Sequence, residues 1–208
     1  YHRTGVMLTW QGIVSSLQYL MEEDVLVGGI SALELQGHAH YLSMSEKSTV
    51  HLYSQAKAPS WLNKLLPNVT FVWHSTKRIW KLDITSNEKL STEHLWREDL
   101  PRLRLSCIEK AYLELMFAVP ERFSFEHADE VMQGLTSLSP HKLKTLLNNC
   151  ASVKVKRLFF WFADRHSYPW KKKLDPNDYD LGSGKRLLIK GGKLDSKYQI
   201  TVPEHMHG

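Results

Sequence analysis

The sequence predicts an α+β fold in which a mixed β-sheet packs with a cluster of α-helices. Apolar and polar residues alternate in parts of the first half, apolar residues recur at helical spacing in the second half, and a strand pattern returns near the end. The chain has 208 residues, 42% apolar and 24% charged, which is enough to bury a sizeable core. It has no uncharged apolar run of about eighteen residues, so we expect no membrane partner.

The first half is predicted to hold two helices and several strands. Thr9 is placed to cap a helix that runs to about Glu22 with an apolar stripe on one face. A Ser-x-x-Glu capping box at 31–34 predicts the start of a short helix that Gly37 can close. Strands are expected at 50–53, 69–74 and 102–105, with a less regular candidate at 77–82.

The second half is predicted to be mainly helical, because four serines each precede apolar residues at helical spacing. The predicted starts are Ser106, which forms a capping box with Glu109, then Ser124, Ser139 with Pro140 at the first helical position, and Ser152. The last of these helices carries an apolar run at 158–162 and should be central and buried. Strands at 186–190 and 198–202, with a Gly191-Gly192 turn after the first, are expected to follow.

Positive charge is concentrated at the C-terminal end. Residues 151–208 contain 12 Lys and Arg against 6 Asp and Glu, whereas residues 1–150 contain 15 against 16. A basic segment attracts polyanions, so nucleic acid is a candidate partner, and a merely solubilising surface is the alternative that charge leaves open. The candidate nucleic-acid-binding residues are Lys154, Lys156, Arg157, Lys171, Lys172, Lys173, Lys185, Arg186, Lys190 and Lys193.

The first three of these cations would lie in the opening turns of the Ser152 helix. A helix N-terminus favours anions, so lysines there oppose the helix dipole and an anionic partner would explain their presence. Nearby, Tyr168 and Trp170 are candidates for stacking on a base, although core packing is the simpler interpretation for Trp170.

No motif in the sequence predicts catalysis, a metal or a cofactor. The stretch 181–186 resembles a phosphate loop but leads into a predicted strand rather than a helix. His38 and His40 have no further ligand at a familiar zinc spacing. Cys107 and Cys150 are expected to be buried thiols in a reducing cytoplasm. We therefore expect a protein that is not an enzyme, with a nuclease whose carboxylates meet only in the fold, or a protein-interaction domain, as alternatives.

Four segments, in order along the chain, resemble a bacterial family. Residues 29–41, GISALELQGHAHY, are similar to the segment that opens the second domain of AbiEi-type antitoxins of type IV toxin–antitoxin (abortive infection) systems. Residues 106–115 resemble the family's SPERAxLEL helix start, with Cys107, Ile108 and Lys110 replacing the usual residues. Residues 152–159, SVKVKRLF, and residues 180–186 with 197–203, DLGSGKR and KYQITVP, resemble later blocks.

The resemblance implies an antitoxin that also represses transcription of its own operon. It implies an N-terminal winged helix that binds inverted repeats in promoter DNA, with residues 1–8 as a remnant of its last wing strand and residues 9–208 as the C-terminal antitoxin domain. The implied toxin is a nucleotidyltransferase-like protein that the antitoxin counters without a stable complex. The recognition helix would precede this chain, so only phosphate contacts are expected from the residues present here.

Overall fold

The computed structural model describes residues 8–21, 24–39, 47–81, 84 and 86–207, and the predicted α+β class is confirmed. The chain divides into two compact units. The first comprises residues 1–77 and 82–107, and the second comprises residues 78–81 and 108–208. The predicted wing strand at residues 1–8 lies almost wholly outside the described residues.

The first unit is a mixed five-stranded sheet with two helices. Its elements are α1 Trp10–Leu20, β1 Val25–Val27, α2 Gly29–Leu35, β2 Ser48–Ser54, β3 Val69–Ser75, β4 Ser91–His94 and β5 Leu103–Ser106. The strand order is β3-β2-β1-β5-β4, with β2–β3 and β1–β5 parallel and the other two pairs antiparallel. The central strand β1 is buried throughout, although its three residues are too few to show a strand period in the sequence.

The predicted start of α2 was wrong. Ser31 does not cap the helix, which begins two residues earlier after Gly28. The Ser31 hydroxyl instead accepts a hydrogen bond from the His51 amide at 3.0 Å and contacts the Thr49 carbonyl oxygen at 3.4 Å, so it joins α2 to β2. The predicted end is confirmed, because Gly37 has a φ of 76° and follows Gln36, the C-cap of the helix.

The second unit is built around four helices. They are α3 Ile108–Ala118, α4 Phe125–Gly134, α5 Pro140–Asn149 and α6 Val153–Asp164. The predicted caps of the last three are confirmed, because the side chains of Ser124, Ser139 and Ser152 each accept a backbone N–H of the first turn. Helix α6 is the central helix, and residues 158–160 in it have no exposed surface.

The C-terminal strands differ from the prediction. The hairpin consists of β6 Lys193–Asp195 and β7 Ile200–Val202, whereas the predicted strand at 186–190 is reduced to an isolated bridge between Arg186 and Ile200. Gly192 packs so closely that a Cβ atom there would lie 2.5 Å from the Val202 carbonyl oxygen. The Gly191-Gly192 pair therefore leads into the hairpin rather than forming its turn.

The strand candidate at 77–82 was also wrong in its described part. Residues Thr76–Arg78 form a 3-10 turn, and Trp80 makes an isolated bridge with Cys150. Among the described residues, no helix has the length and apolar content needed to span a membrane.

Candidate nucleic-acid interface

Lys154, in the first turn of α6, is held by the C-terminal end of α3. Its ammonium donates hydrogen bonds to the carbonyl oxygens of Phe117 and Val119 at 2.7 and 2.8 Å, and it pairs with Glu121 at 3.1 Å. A cation at this end of α3 complements the helix dipole. Burial lowers the pKa of Lys154 from its ordinary value, and the Glu121 carboxylate opposes that change. The protein itself thus supplies the partner that we had expected an external anion to supply.

Arg157 is also occupied by protein groups. Only 3% of it is exposed, and its guanidinium donates to the carbonyl oxygens of Leu181 at 2.7 Å, Gly184 at 2.8 Å and Gln199 at 3.1 Å. Burial, and then the nearby charge of Arg186, lowers its pKa from the ordinary value. This geometry fastens the 181–184 loop and the hairpin turn to α6, which is a structural role that the sequence did not predict.

Lys156 lies between these two residues and differs from both. It is 2% exposed, and no described residue makes a hydrogen bond or an ion pair with its ammonium. A buried lysine without such partners is unusual, because lysine is rarely buried unless its charge is paired.

Lys171, the first residue of the predicted basic run, pairs with Asp164 at the end of α6. The other Asp164 oxygen accepts from Lys197 and from the Tyr198 hydroxyl, each at 2.5 Å. Burial would raise the pKa of Asp164, but the hydrogen bonds from Lys171, Lys197 and Tyr198 outweigh it and lower that pKa. Lys197 was missed in the sequence because nothing but its charge distinguishes it.

We expect Asp164→Asn to lower the free energy of unfolding at pH 7 by about 1–2 kcal/mol, because it removes the charge on which three donors converge. The folded carboxyl has a pKa below its unfolded value, so its contribution is present at neutral pH and disappears as the pH falls through the folded pKa. Urea unfolding should show a smaller difference in the free energy of unfolding between the variant and the unsubstituted protein at about pH 3 than at pH 7. Asp178→Asn, at an exposed carboxylate, is the control, and an equal gap at both pH values would contradict the prediction.

The remaining six predicted cations are exposed and, within the described residues, have no ion-pair partner. We call them the basic segment, and they are Lys172, Lys173, Lys185, Arg186, Lys190 and Lys193. They follow α6 in the 3-10 turn at 171–173, in the stretch before the hairpin and at the start of β6. Exposed cations without acidic partners are available for phosphate oxygens.

The two aromatic candidates are engaged within the second unit. Trp170 is buried, and its indole N–H donates to the Leu135 carbonyl oxygen at 2.9 Å, as the core interpretation predicted. The Tyr168 hydroxyl donates to the Gln133 carbonyl oxygen at 2.9 Å, and its ring stacks between His166 and Trp170. Both aromatic side chains therefore already make ring contacts and hydrogen bonds within the second unit.

The described residues contain no group of three or more His, Cys, Asp or Glu side chains arranged to hold a metal ion. Of the two histidines considered as zinc ligands, His38 follows α2, and His40 lies outside the described residues. Both cysteines are buried free thiols, and burial raises the pKa of Cys150 to about 11, with weaker opposing effects from a backbone hydrogen bond and two lysines.

The family comparison defines the class of protein as a transcriptional regulator. A family model described as "Transcriptional regulator, AbiEi antitoxin, Type IV TA system" matches residues 47–203, and the model of the AbiEi antitoxin N-terminal domain matches residues 1–44. The chain belongs to the AbiEi antitoxin family of type IV toxin–antitoxin systems. The second match extends to residue 44, beyond the eight residues that the resemblance assigned to an N-terminal domain.

One solved structure with a similar fold is the RV2827C protein from Mycobacterium tuberculosis. The similarity has a TM-score of 0.56 at 14% sequence identity and covers 90% of this chain. The chain spans 65% of that protein's chain. No curated protein matches the sequence.

Proposed function

We propose that this antitoxin represses transcription of its own operon and that the basic segment contributes phosphate contacts to its complex with promoter DNA. The observation that carries the proposal is the exposure of these six cations in a chain of a transcriptional-regulator family. Lysine and arginine bind phosphate oxygens by charge and by paired hydrogen bonds, and neither contact depends on base sequence. The basic segment would therefore add affinity and leave the choice of operator to another part of the protein.

We assign that choice to a winged helix that binds inverted repeats and place it toward the N-terminal end, where residues 1–44 match the family's N-terminal domain. The recognition helix of such a domain lies in the major groove, where base pairs are distinguishable. Of the cations predicted to bind nucleic acid, we propose DNA phosphate contacts only for the basic segment. Lys154, Arg157 and Lys171 are instead bound by acceptors within the protein.

We propose that the protein, as an antitoxin, counters a nucleotidyltransferase-like toxin in the cytoplasm. It would do so without catalysing a reaction and without forming a stable complex with the toxin. No observation among the residues described supports the nuclease alternative.

Changing Lys185, Arg186, Lys190 and Lys193 to Glu should weaken binding to the upstream DNA by about tenfold or more at moderate salt. Each phosphate contact releases condensed counterions, so the variant should also show a shallower dependence of affinity on salt. Gel-shift or fluorescence-anisotropy titrations of the whole protein, at several salt concentrations, measure both quantities.

The matched control reverses the same number of exposed charges elsewhere on the chain, at Lys57, Lys64, Lys89 and Lys144. It changes the net charge equally, so it separates local contacts from the long-range field. Equal losses in the two variants, or no loss in the first, would contradict a specific role for the basic segment and leave the family assignment intact.

A further inference from the structure

The first turn of α6 has two backbone donors without acceptors. The Ser152 side chain accepts the Val155 N–H, and the Ser152 carbonyl accepts the Lys156 N–H. The N–H groups of Val153 and Lys154 have no acceptor in the part of the chain that the structure describes. The N-terminal end of a 12-residue helix therefore presents free donors together with the positive end of the helix dipole.

A glycine-containing loop lies against this turn. A Cβ atom on Gly182 would lie 3.1 Å from a methyl carbon of Val153, and Gly182 and Gly184 have φ values of 63° and 73°. Arg157 fixes the loop there through the carbonyl oxygens of Leu181 and Gly184. The loop and the helix end are consequently held together by the protein, before any ligand arrives.

The side chain of Lys156 is directed at the same place. Helical side chains lean toward the N-terminal end of their own helix, and Lys156 is in the second turn. Its charge acts on Cys150, two residues before the Ser152 cap, and on Asp180, which opens the loop. Lys156 as a whole is 2% exposed, and its ammonium has no hydrogen-bond or ion-pair partner among the described residues.

The local charge is positive. Lys81 is exposed, and its charge, like that of Lys156, acts to lower the pKa of Cys150 and of Asp180, so two positive charges lie near one carboxylate. That carboxylate, Asp180, is exposed and accepts the Gly182 N–H at 2.8 Å. The positive charge of the two lysines and of the helix N-terminus is greater than the negative charge of Asp180. The excess positive charge favours binding of an anion with several acceptor oxygens.

We infer that the first turn of α6, the 180–184 loop and the buried Lys156 form a binding site for one phosphate group. The Val153 and Lys154 N–H groups and the Lys156 ammonium donate to its oxygens, and Lys81 contributes at the solvent side. The negative charge of the Asp180 carboxylate repels the phosphate group and so limits its affinity. The site does not depend on the operator-binding proposal, because phosphate oxygens have the same chemistry on a free phosphate and on a DNA backbone.

The test is a titration of the whole protein with inorganic phosphate, with chloride at the same ionic strength as the control anion. Binding is measured by calorimetry and by the NMR chemical shifts of the Val153 and Lys154 amides. We expect saturable binding with shifts at those two amides. Lys156→Met should weaken it about tenfold or more, Asp180→Asn should strengthen it severalfold, and Lys144→Met, at an exposed lysine on α5 outside the basic segment, should leave it unchanged. The opposite signs of the two variants are not what general loss of stability would produce.

Competition with duplex DNA distinguishes the two sources of the phosphate. Displacement of inorganic phosphate by DNA supports a backbone phosphate as the occupant, and simultaneous binding supports a free phosphate or phosphomonoester. If Lys156→Met fails to fold, the Asp180→Asn titration and the amide shifts still decide the matter. A titration that never saturates, shifts confined to other residues, or unchanged affinity in Lys156→Met and Asp180→Asn would overturn the inference.

Discussion

Glu114→Gln should lower the free energy of unfolding of the second unit by about 3–5 kcal/mol, the largest effect that we expect from a single polar substitution. The Glu114 carboxylate lies 3.2 Å from the Lys110 ammonium one turn away on α3, and neither side chain has any exposed surface. Removing the negative charge takes this carboxylate from the buried Lys110 ammonium, so the desolvation of that ammonium is compensated less well. Urea unfolding followed by circular dichroism measures the change.

The double variant Lys110→Met with Glu114→Gln tests the reason for that loss. A buried pair replaced by neutral side chains of similar size is often close to neutral in stability, so the double variant should recover much of what the single variant loses. If the double variant is as unstable as the single one, shape or other hydrogen bonds, rather than the loss of the ion pair, would account for the effect.

Arg157→Met should lower the free energy of unfolding by about 3 kcal/mol, because hydrogen bonds from a charged donor each contribute about 1.5–3 kcal/mol and three carbonyl oxygens each lose a charged donor. The carbonyl oxygens of Leu181, Gly184 and Gln199 are all affected. Gln199 has a φ of 52°, uncommon for a residue with a side chain, so its turn depends on such external contacts. Hydrogen exchange should show earlier loss of protection in β6 and β7.

Arg186→Met is the matched control for Arg157→Met. Arg186 is a neighbouring arginine whose side chain is exposed, and exposed substitutions of this kind change stability by about 0.5 kcal/mol or less. Equal destabilisation by the two variants would contradict the structural role of Arg157. Loss of DNA affinity in Arg186→Met without loss of stability would instead agree with its place in the basic segment.

The same sequence signal led to different outcomes for the three cations of α6. We predicted nucleic-acid contacts for Lys154, Lys156 and Arg157 because lysine and arginine are unfavourable at a helix N-terminus. The structure supplies protein carbonyls for Lys154 and Arg157, which removes the need for an external anion at those two positions. Lys156 is the one of the three whose positive charge near the helix N-terminus has no partner among the described residues, and the proposed phosphate site depends on it.

Other parts of the fold could be predicted because their signals are local. The caps at Ser124, Ser139 and Ser152 were predictable since a serine side chain satisfies an N–H only three residues away. Ser31 carried a similar signal, but its hydroxyl reaches β2 across the sheet, and a long-range acceptor overrides a local motif. β1 was missed because three buried residues show no period.

The sequence by itself determined the class of fold, most of the helix ends and the family, because each depends on residues close together in the chain or on the order of recognisable segments. The tertiary structure decided which basic residues face solvent and which are held by backbone carbonyls. Charge is visible in a sequence, whereas burial and the partner of a charge depend on residues more than twenty positions apart, such as Arg157 and Leu181. The physical reason is that a cation is available to a ligand only when the folded chain leaves it unsatisfied.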